Sequence, residues 1–279
     1  MSTPADDATT GEEIYRHPHD YDLELAAQRV GDVDFWTAVL RREQPRRVLE
    51  LGCGTGRLTV ALAELGCAQG FRVLGLDREP RMLVRALDRW RAAPTGVREA
   101  LQFVVGDLRQ LPLRGWFDVV LLPYGTAHHL AALDDQLATW HAIRRLIAPQ
   151  GLFAVDVCAP DLALLARARE RTDRAEDLVA RGDDGRELRR NVAVTYDAAT
   201  QQALFDYAYV VQQPDGARHA YQSPFAMHVY YPRELLLLFR ATGFRVEQVV
   251  GSYAGEPFGA TSPLLIVLAR PATNPLTAD

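Results

Sequence analysis

The chain has 279 residues, 48% of them hydrophobic, with 31 Lys and Arg against 36 Asp and Glu, for a formal charge of -5. A chain of that size buries a full core and leaves room for one catalytic domain plus an insertion. The acidic balance, with no basic run interleaved with aromatics, excludes nucleic acid as the expected partner. Met1 to Gly11 is polar and carries Asp6 and Asp7 where a signal peptide needs a basic start and an apolar core. Apolar runs such as Leu235 to Phe239 stop far short of the ~20 residues of a membrane span. The expectation is a soluble, cytoplasmic protein with no membrane partner. Cys53, Cys67 and Cys158 are too few and too irregularly spaced for a disulfide framework or a zinc site, so all three read as small buried residues and no metal is expected.

Residues 1–13 mix Ser, Thr, Pro, Asp and Gly without periodicity and read as disordered. From Tyr21 to Glu43 the apolar positions Leu23, Leu25, Val30, Phe35, Trp36, Val39 and Leu40 predict two short helices, broken at Gly31, with Asp32 capping the second. Pro45 ends the helix, and Arg47 to Leu51 reads as a short buried strand running into Gly52. A helix from Leu58 to Leu65, closed by Gly66, follows. The same grammar repeats: strand Phe71 to Leu76, helix Pro80 to Ala92, strand Leu101 to Val105, strand Phe117 to Leu122, helix Leu133 to Leu146, strand Leu152 to Val157. Continuous apolar strands alternating with amphipathic helices imply a parallel sheet covered on both faces.

After Pro160 the character changes. A charged helix is expected from about Leu162 to Ala180, with Arg167 to Arg174 as a solvated face. Glu187 to Tyr196, Ala203 to Gln212 and Arg218 to Tyr230 alternate apolar and polar residues around the turn Pro214-Asp215-Gly216, which predicts an antiparallel meander over the ligand edge of the sheet. A helix from Pro232 to near Gly243 then leads to two last strands, Arg245 to Tyr253 and Leu264 to Ala269. The fold class read from this order is α/β, a Rossmann-like doubly wound mixed seven-stranded sheet with an inserted antiparallel β-meander.

The strongest chemical signal is Glu50-Leu51-Gly52-Cys53-Gly54-Thr55-Gly56-Arg57, where a strand ends in three glycines at alternate positions before a helix. Glycines there let the backbone pass close under a ligand, and the helix N-terminus favours an anionic group. Taken alone the run also serves as a plain tight turn. The dinucleotide fingerprint G-x-G-x-x-G is not met, because the third glycine falls one place early, which removes most support for a nicotinamide dehydrogenase.

This stretch resembles motif I of the class I S-adenosylmethionine (SAM)-dependent methyltransferases. In that family Glu50 and the backbone of Gly52, Cys53, Gly54, Thr55 and Gly56 would hold the aminocarboxyl end of SAM. The resemblance extends to Asp77 after Val73-Leu74-Gly75-Leu76, which would bind the ribose hydroxyls with Arg78 beside it, since a carboxylate is the natural acceptor for a vicinal diol. It extends further to Asp107 for the adenine amine, the backbone of Leu108 for the adenine ring, and Met82 packed on that ring. Pro123 at the end of the fourth strand completes the implied cofactor set. The resemblance covers roughly residues 45–160 well and the final strands more loosely. The meander and Tyr253 to Phe258 are less specifically similar to bacterial small-molecule methyltransferases. With it the chain divides into an N-terminal tail and cofactor-covering helices (1–44), the SAM-binding core (45–160), a helix and acceptor-site insertion (161–231), a C-terminal helix with the last two strands (232–272) and a tail (273–279).

Family members acting on nucleobase amines carry Asn, Asp or Ser before Pro-Pro-Tyr after the fourth strand, whereas this chain has Leu121-Leu122-Pro123-Tyr124, which disfavours base methylation. His128 and His129 follow just past the carboxyl end of that strand, where open α/β sheets place their ligands. Either is a candidate base or acceptor ligand near neutral pH, and one of the two is expected to make only a structural hydrogen bond. Tyr124, Tyr15 and Tyr21, the last two with His17 and His19 between them, are further acceptor-site candidates. So are Phe225, His228 and Tyr230, which alternate with Tyr207, Tyr209 and Tyr221 on the meander. The same aromatics read equally as sheet core.

The expected function is methyl transfer from SAM, with S-adenosylhomocysteine as product, to N or O of a small-molecule acceptor, in natural-product or amine metabolism. Two alternatives stay open: a SAM-fold enzyme catalysing a non-methylating, cyclisation-type step, and a non-catalytic SAM-binding subunit. No heptad seam is present, and an oligomer built through the meander is compatible with the sequence.

Overall fold

The computed structural model describes residues 13–28 and 31–273. The disorder expected for residues 1–13 therefore lies, Glu13 apart, outside the described residues, as do Val30 and most of the C-terminal tail. Glu13–Arg16 forms a 3-10 turn, followed by helix α1 (Pro18–Gln28), helix α2 (Asp32–Glu43), strand β1 (Arg47–Leu51), α3 (Arg57–Gln69) and β2 (Arg72–Asp77). Next come α4 (Pro80–Ala92), α5 (Thr95–Ala100), β3 (Leu101–Val105), β4 (Phe117–Leu122), a 3-10 turn at Thr126–His129, α6 (Leu133–Leu146) and β5 (Ile147–Cys158). Helix α7 (Leu162–Arg167) leads to β6 (Ala175–Arg181), β7 (Glu187–Asp197), β8 (Gln202–Gln212) and β9 (Arg218–His228). The chain closes with α8 (Pro232–Ala241), β10 (Phe244–Val250) and β11 (Leu264–Pro271). Among the described residues no helix is long and apolar enough to cross a membrane.

The described residues form two compact units, one from 31–160 with 229–273 and the other from 13–28 with 161–228. The first holds a seven-stranded sheet in the order β10-β11-β5-β4-β1-β2-β3, parallel from β3 to β5 and antiparallel through β11 and β10. Alternate strand residues point to opposite faces, and both faces are covered. Leu49, Leu51, Val120, Leu122, Phe153 and Val155 pack under α6 and α8 through Trp140, Ile143, Leu235 and Phe239. Val48, Val119, Leu121 and Ala154 pack under α2 and α3 through Trp36, Leu40, Leu58 and Leu62. Each such fully buried side chain contributes about 1.5–3 kcal/mol, which is why the strands read as unbroken apolar runs.

The second unit is a four-stranded antiparallel sheet in the order β6-β7-β8-β9, with α1 beside it. Its core joins Ile14, Leu23, Leu188, Tyr207, Tyr209 and Val211. The N-terminal segment is thereby divided, α1 belonging to this unit and α2 to the first. Inside the unit the buried Glu24 pairs with Arg190 and accepts from the Tyr209 hydroxyl at 2.9 Å. Burial pushes the Glu24 carboxyl up from its ordinary value, and the Arg190 charge pulls the other way.

Several expectations are corrected. The charged helix of 162–180 stops at Arg167 and a short 3-10 turn; Arg171 has φ +56°, and Thr172 exchanges hydrogen bonds with Val194. Ala175–Arg181 instead pairs with β7, so tertiary pairing overrides a locally helical composition and adds a strand to the meander. Gly66 does not end α3. It lies inside the helix because a Cβ there would come 2.7 Å from the Phe71 carbonyl oxygen, and Gly70, at φ +83°, closes the helix. Asp32 does not cap α2; it is fully buried and forms a two-point ion pair with Arg57, at 2.9 and 2.5 Å. Helix α1 already starts at Pro18, taking in His19 and Tyr21. Of the three cysteines only Cys53 is buried, while Cys67 and Cys158 are exposed.

Candidate active site

The glycine turn follows β1 at the carboxyl end of the sheet. Gly52, Gly54 and Gly56 have φ of +72°, +53° and +74°, a region that residues with a Cβ avoid. The Gly52 and Cys53 amides donate to the Leu76 carbonyl at 2.8 and 3.0 Å, which pins the turn to the end of β2. A Cβ on Gly56 would lie 2.9 Å from that of Ala86, so only glycine lets α3 start this close to α4. Thr55 and Cys53 are buried beneath the turn.

Glu50, the last but one residue of β1, is buried, and its Oε2 has no hydrogen-bond partner. Burial raises its carboxyl to about 8, against the opposing pull of Thr59 and of the Arg57 charge. An unpartnered carboxyl oxygen behind the glycine turn is a standing free-energy cost that a cationic ligand group relieves. Asp77 is half-buried at the end of β2, where Oδ2 accepts from the Gly54 amide at 2.7 Å and Oδ1 from the Glu79 amide at 2.9 Å. Burial raises its carboxyl too, opposed by those two amides. The Gly106 amide donates to the Asp77 carbonyl at 2.9 Å, which brings Asp107 to the same end of the sheet. Asp107 is clamped by Arg109, whose Nε and Nη2 donate at 2.9 and 2.5 Å and hold the carboxyl below its ordinary value. Arg78 is solvent-exposed next to Asp77, Met82 is buried on α4, and Leu108 is partly buried.

Past β4 the buried Pro123 leads to Tyr124 and Gly125, at φ +55° and +68°. Asp156, on β5, holds this turn twice: its Oδ1 accepts from the Tyr124 amide at 2.9 Å and its carbonyl from Gly125 at 3.2 Å. Its other oxygen accepts from the Tyr253 hydroxyl at 2.8 Å. Burial raises the Asp156 carboxyl to about 7, with the Tyr253 and Tyr124 hydrogen bonds opposing. Thr126 packs against Gly52, closing the β4 turn onto the β1 turn.

The two histidines separate. His128 is buried, with Nε2 accepting from the Cys158 amide at 3.0 Å, so this lone pair is committed within the protein. Burial lowers the imidazole of His129 to about 4, with the Arg78 charge and then His128 adding to it, so His129 is neutral at neutral pH. Tyr230, expected at the acceptor site, is instead a fully buried core residue whose hydroxyl donates to the Ala127 carbonyl at 3.2 Å. Tyr15, Tyr21 and Phe225 are partly buried and pack against the core of the other unit, and His228 is buried at the end of β9. Sequence reasoning missed Asp156 and Tyr253. An acid inside the apolar run Leu152 to Val157 was the available signal, since a buried charge needs partners.

The donor set fits SAM on three observations: an orphan carboxylate oxygen for an ammonium, a glycine turn with no room for side chains at Gly52 and Gly56, and an acid ending β2. Residues 48–151 match the methyltransferase domain family. The chain is 32% identical over 243 residues to a cypemycin N-terminal methyltransferase from a Streptomyces species, covering 84% of this chain and 87% of that protein. The fold is similar to that of the CcbJ methyltransferase from Streptomyces caelestis, at TM-score 0.69 and 24% identity over 87% of this chain and 90% of that one. It is also similar to an S-adenosylmethionine-dependent methyltransferase from Clostridium acetobutylicum ATCC 824, at TM-score 0.73 and 15% identity over 94% and 100%.

Proposed function

Because the chain belongs to the class I SAM-dependent methyltransferases, we propose that it methylates an amine nitrogen of a small natural-product acceptor, leaving S-adenosylhomocysteine. The observation that carries the cofactor side is the unpartnered Glu50 oxygen behind the glycine turn, matched to the ammonium of an amino acid moiety. The nitrogen acceptor is supported by the Streptomyces relative, whose name specifies an N-terminus and which aligns over most of both chains.

Bound SAM supplies an electrophilic methyl on a sulfonium that departs as a neutral thioether. The chain's own residues do the rest. Glu50, behind the glycine turn, would hold the aminocarboxyl end, Asp77 the ribose, and Asp107 with the Leu108 backbone and Met82 the adenine. Alignment of acceptor and methyl is worth up to roughly 7–11 kcal/mol. An amine acceptor arrives protonated and must lose that proton before its lone pair attacks, and His129, neutral at neutral pH, is the group assigned to that end of the site.

The test pairs binding with turnover. Calorimetry should give micromolar binding of SAM and of S-adenosylhomocysteine and none of NAD. Mass spectrometry of a panel of amines and matched hydroxyl analogues should then show a one-methyl gain on the amines, with equal S-adenosylhomocysteine formed. Methylation of the hydroxyl analogues alone would overturn the nitrogen assignment.

A further inference from the structure

In the unit that carries the antiparallel sheet, metal-ligating side chains converge from two stretches far apart in sequence. His17 lies between the first 3-10 turn and α1, Asp20 is buried in the first turn of α1, and His219 is the second residue of the edge strand β9. One donor atom from each of the three lies within 4.8 Å of the others. His219 Nε2 is 3.5 Å from Asp20 Oδ2, and His17 Nε2 is 3.5 Å from Glu13 Oε1 on the preceding turn. These separations exceed the ~2.7–3.2 Å of ordinary N–H···O hydrogen bonds. They approach the ligand-to-ligand spacing of a tetrahedral zinc site, about 3.3 Å for bonds of about 2.0–2.1 Å.

The donors are also held in place. Asp20 Oδ2 accepts from the Tyr221 hydroxyl at 3.2 Å, and Arg186 stands 3.6 Å from Oδ1. The Tyr221 ring stacks on His17 at 4.3 Å and on His219 at 6.1 Å between centroids. Metal-binding carboxylates and imidazoles are ordinarily oriented by outer partners of this kind.

We propose that His17, Asp20 and His219 bind a divalent transition-metal ion, zinc first, as a structural staple. Two imidazoles and one carboxylate suit zinc's borderline-soft character, with a water as the fourth ligand of a tetrahedral site. The ion joins the N-terminal segment to β9, where the Ile14 amide already donates to Ser223 Oγ at 2.9 Å. Joining them there ties the N-terminal segment to the edge strand, and binding to the folded state alone adds stability. No local spacing marks this site, because His219 lies about two hundred residues beyond His17 and Asp20.

The test uses the full chain, free of any histidine tag and stripped with chelator, titrated with zinc by calorimetry and checked for metal content. One equivalent binding at micromolar concentration or tighter is expected, with a zinc-dependent rise in Tm. Cobalt in place of zinc should give the visible absorption of a tetrahedral site. The His17→Ala/His219→Ala variant should weaken zinc binding by at least about tenfold and lose the Tm rise. Should that variant fail to fold, His219→Gln, at a half-exposed side chain, carries the same comparison. Absence of zinc binding in the unaltered chain, or equal binding in the folded variants, overturns the proposal.

Discussion

The carboxylate of Asp77 accepts a hydrogen bond from the Gly54 amide at 2.7 Å, which ties the end of β2 to the turn after β1. Its second oxygen accepts from the Glu79 amide at the start of α4. Asp77→Ala therefore removes two backbone anchors as well as the group assigned to the ribose. It should raise the SAM dissociation constant tenfold or more and cost about 1–3 kcal/mol of stability. Asp77→Asn keeps an acceptor for the Gly54 amide and should lose most of the affinity with less of the stability. Calorimetric titration and urea denaturation of both variants separate the two effects. Unchanged SAM affinity in both would remove Asp77 from the site.

The commitment of His128 Nε2 to the Cys158 amide predicts different outcomes for neighbouring histidines. His128→Ala leaves that amide unpaired and should destabilise the fold by about 1–3 kcal/mol. His129→Ala should leave SAM affinity intact and slow turnover by about 10² or more if His129 takes the acceptor proton. The pH dependence has a definite sign. The folded value of His129, about 4, lies below the ordinary 6.5, so its contribution to stability is present above 6.5 and is lost as pH falls through 4. Thermal unfolding between those limits should be less steep in His129→Ala. Unaltered kcat in that variant would sink the proton-transfer role.

Much of the fold is legible because a strand buried on both faces must be apolar at every position. Leu49 and Val48 serve opposite faces of the sheet, yet read as one run. The glycine turn is legible because its backbone forbids side chains at Gly56, and the acids at 77 and 107 because one ends a strand and the other lies just past one. Other features depend on partners distant in sequence. The segment Ala175–Arg181 has the composition of an exposed helix and becomes a strand only against β7. Gly66 looks like a helix stop until Phe71 is folded onto it. Asp156 is hidden in an apolar run, and its meaning depends on Tyr124 and Tyr253, the latter 97 residues away. Tyr230 alternates with meander aromatics in sequence, but its burial among α6 and α8 side chains is a tertiary fact.

Glu50 carries a prediction in which stability and binding oppose each other. Burial raises its carboxyl from 4.5 to about 8, so its contribution to apo stability is fully present below 4.5 and lost as pH rises through 8. The loss amounts to a few kcal/mol at most, at about 1.4 kcal/mol per pH unit. Glu50→Gln, which stays neutral, should match the parent near pH 5 and exceed its Tm near pH 8. The same substitution removes the counter-charge for the SAM ammonium and should weaken SAM at least tenfold. Binding to the parent at neutral pH should release a proton, seen as a heat that varies with the ionisation enthalpy of the buffer. Equal buffer dependence in parent and Glu50→Gln would exclude Glu50 as the ammonium's partner.

The Tyr253 hydroxyl donates to Asp156 at 2.8 Å, and Asp156 in turn holds the Tyr124 and Gly125 amides at the strained β4 turn. Tyr253→Phe leaves a buried carboxylate oxygen short of one donor, which disfavours the charged form. The Asp156 carboxyl, already raised to about 7 by burial, should move higher still. Its contribution to stability is present below the ordinary 3.8 and lost as pH rises through 7, so the Tyr253→Phe penalty should be largest above pH 7 and shrink toward pH 5. A double-mutant cycle with Asp156→Asn should return a coupling of about 1–3 kcal/mol at pH 8. Because Thr126 of the same turn packs against Gly52, both single variants should also raise the KM for SAM. Carbon NMR titration of the aspartate carboxyls reads the shift directly. A coupling near zero at pH 8, with KM unchanged, would mean that the pair holds neither the turn nor the cofactor edge of the site.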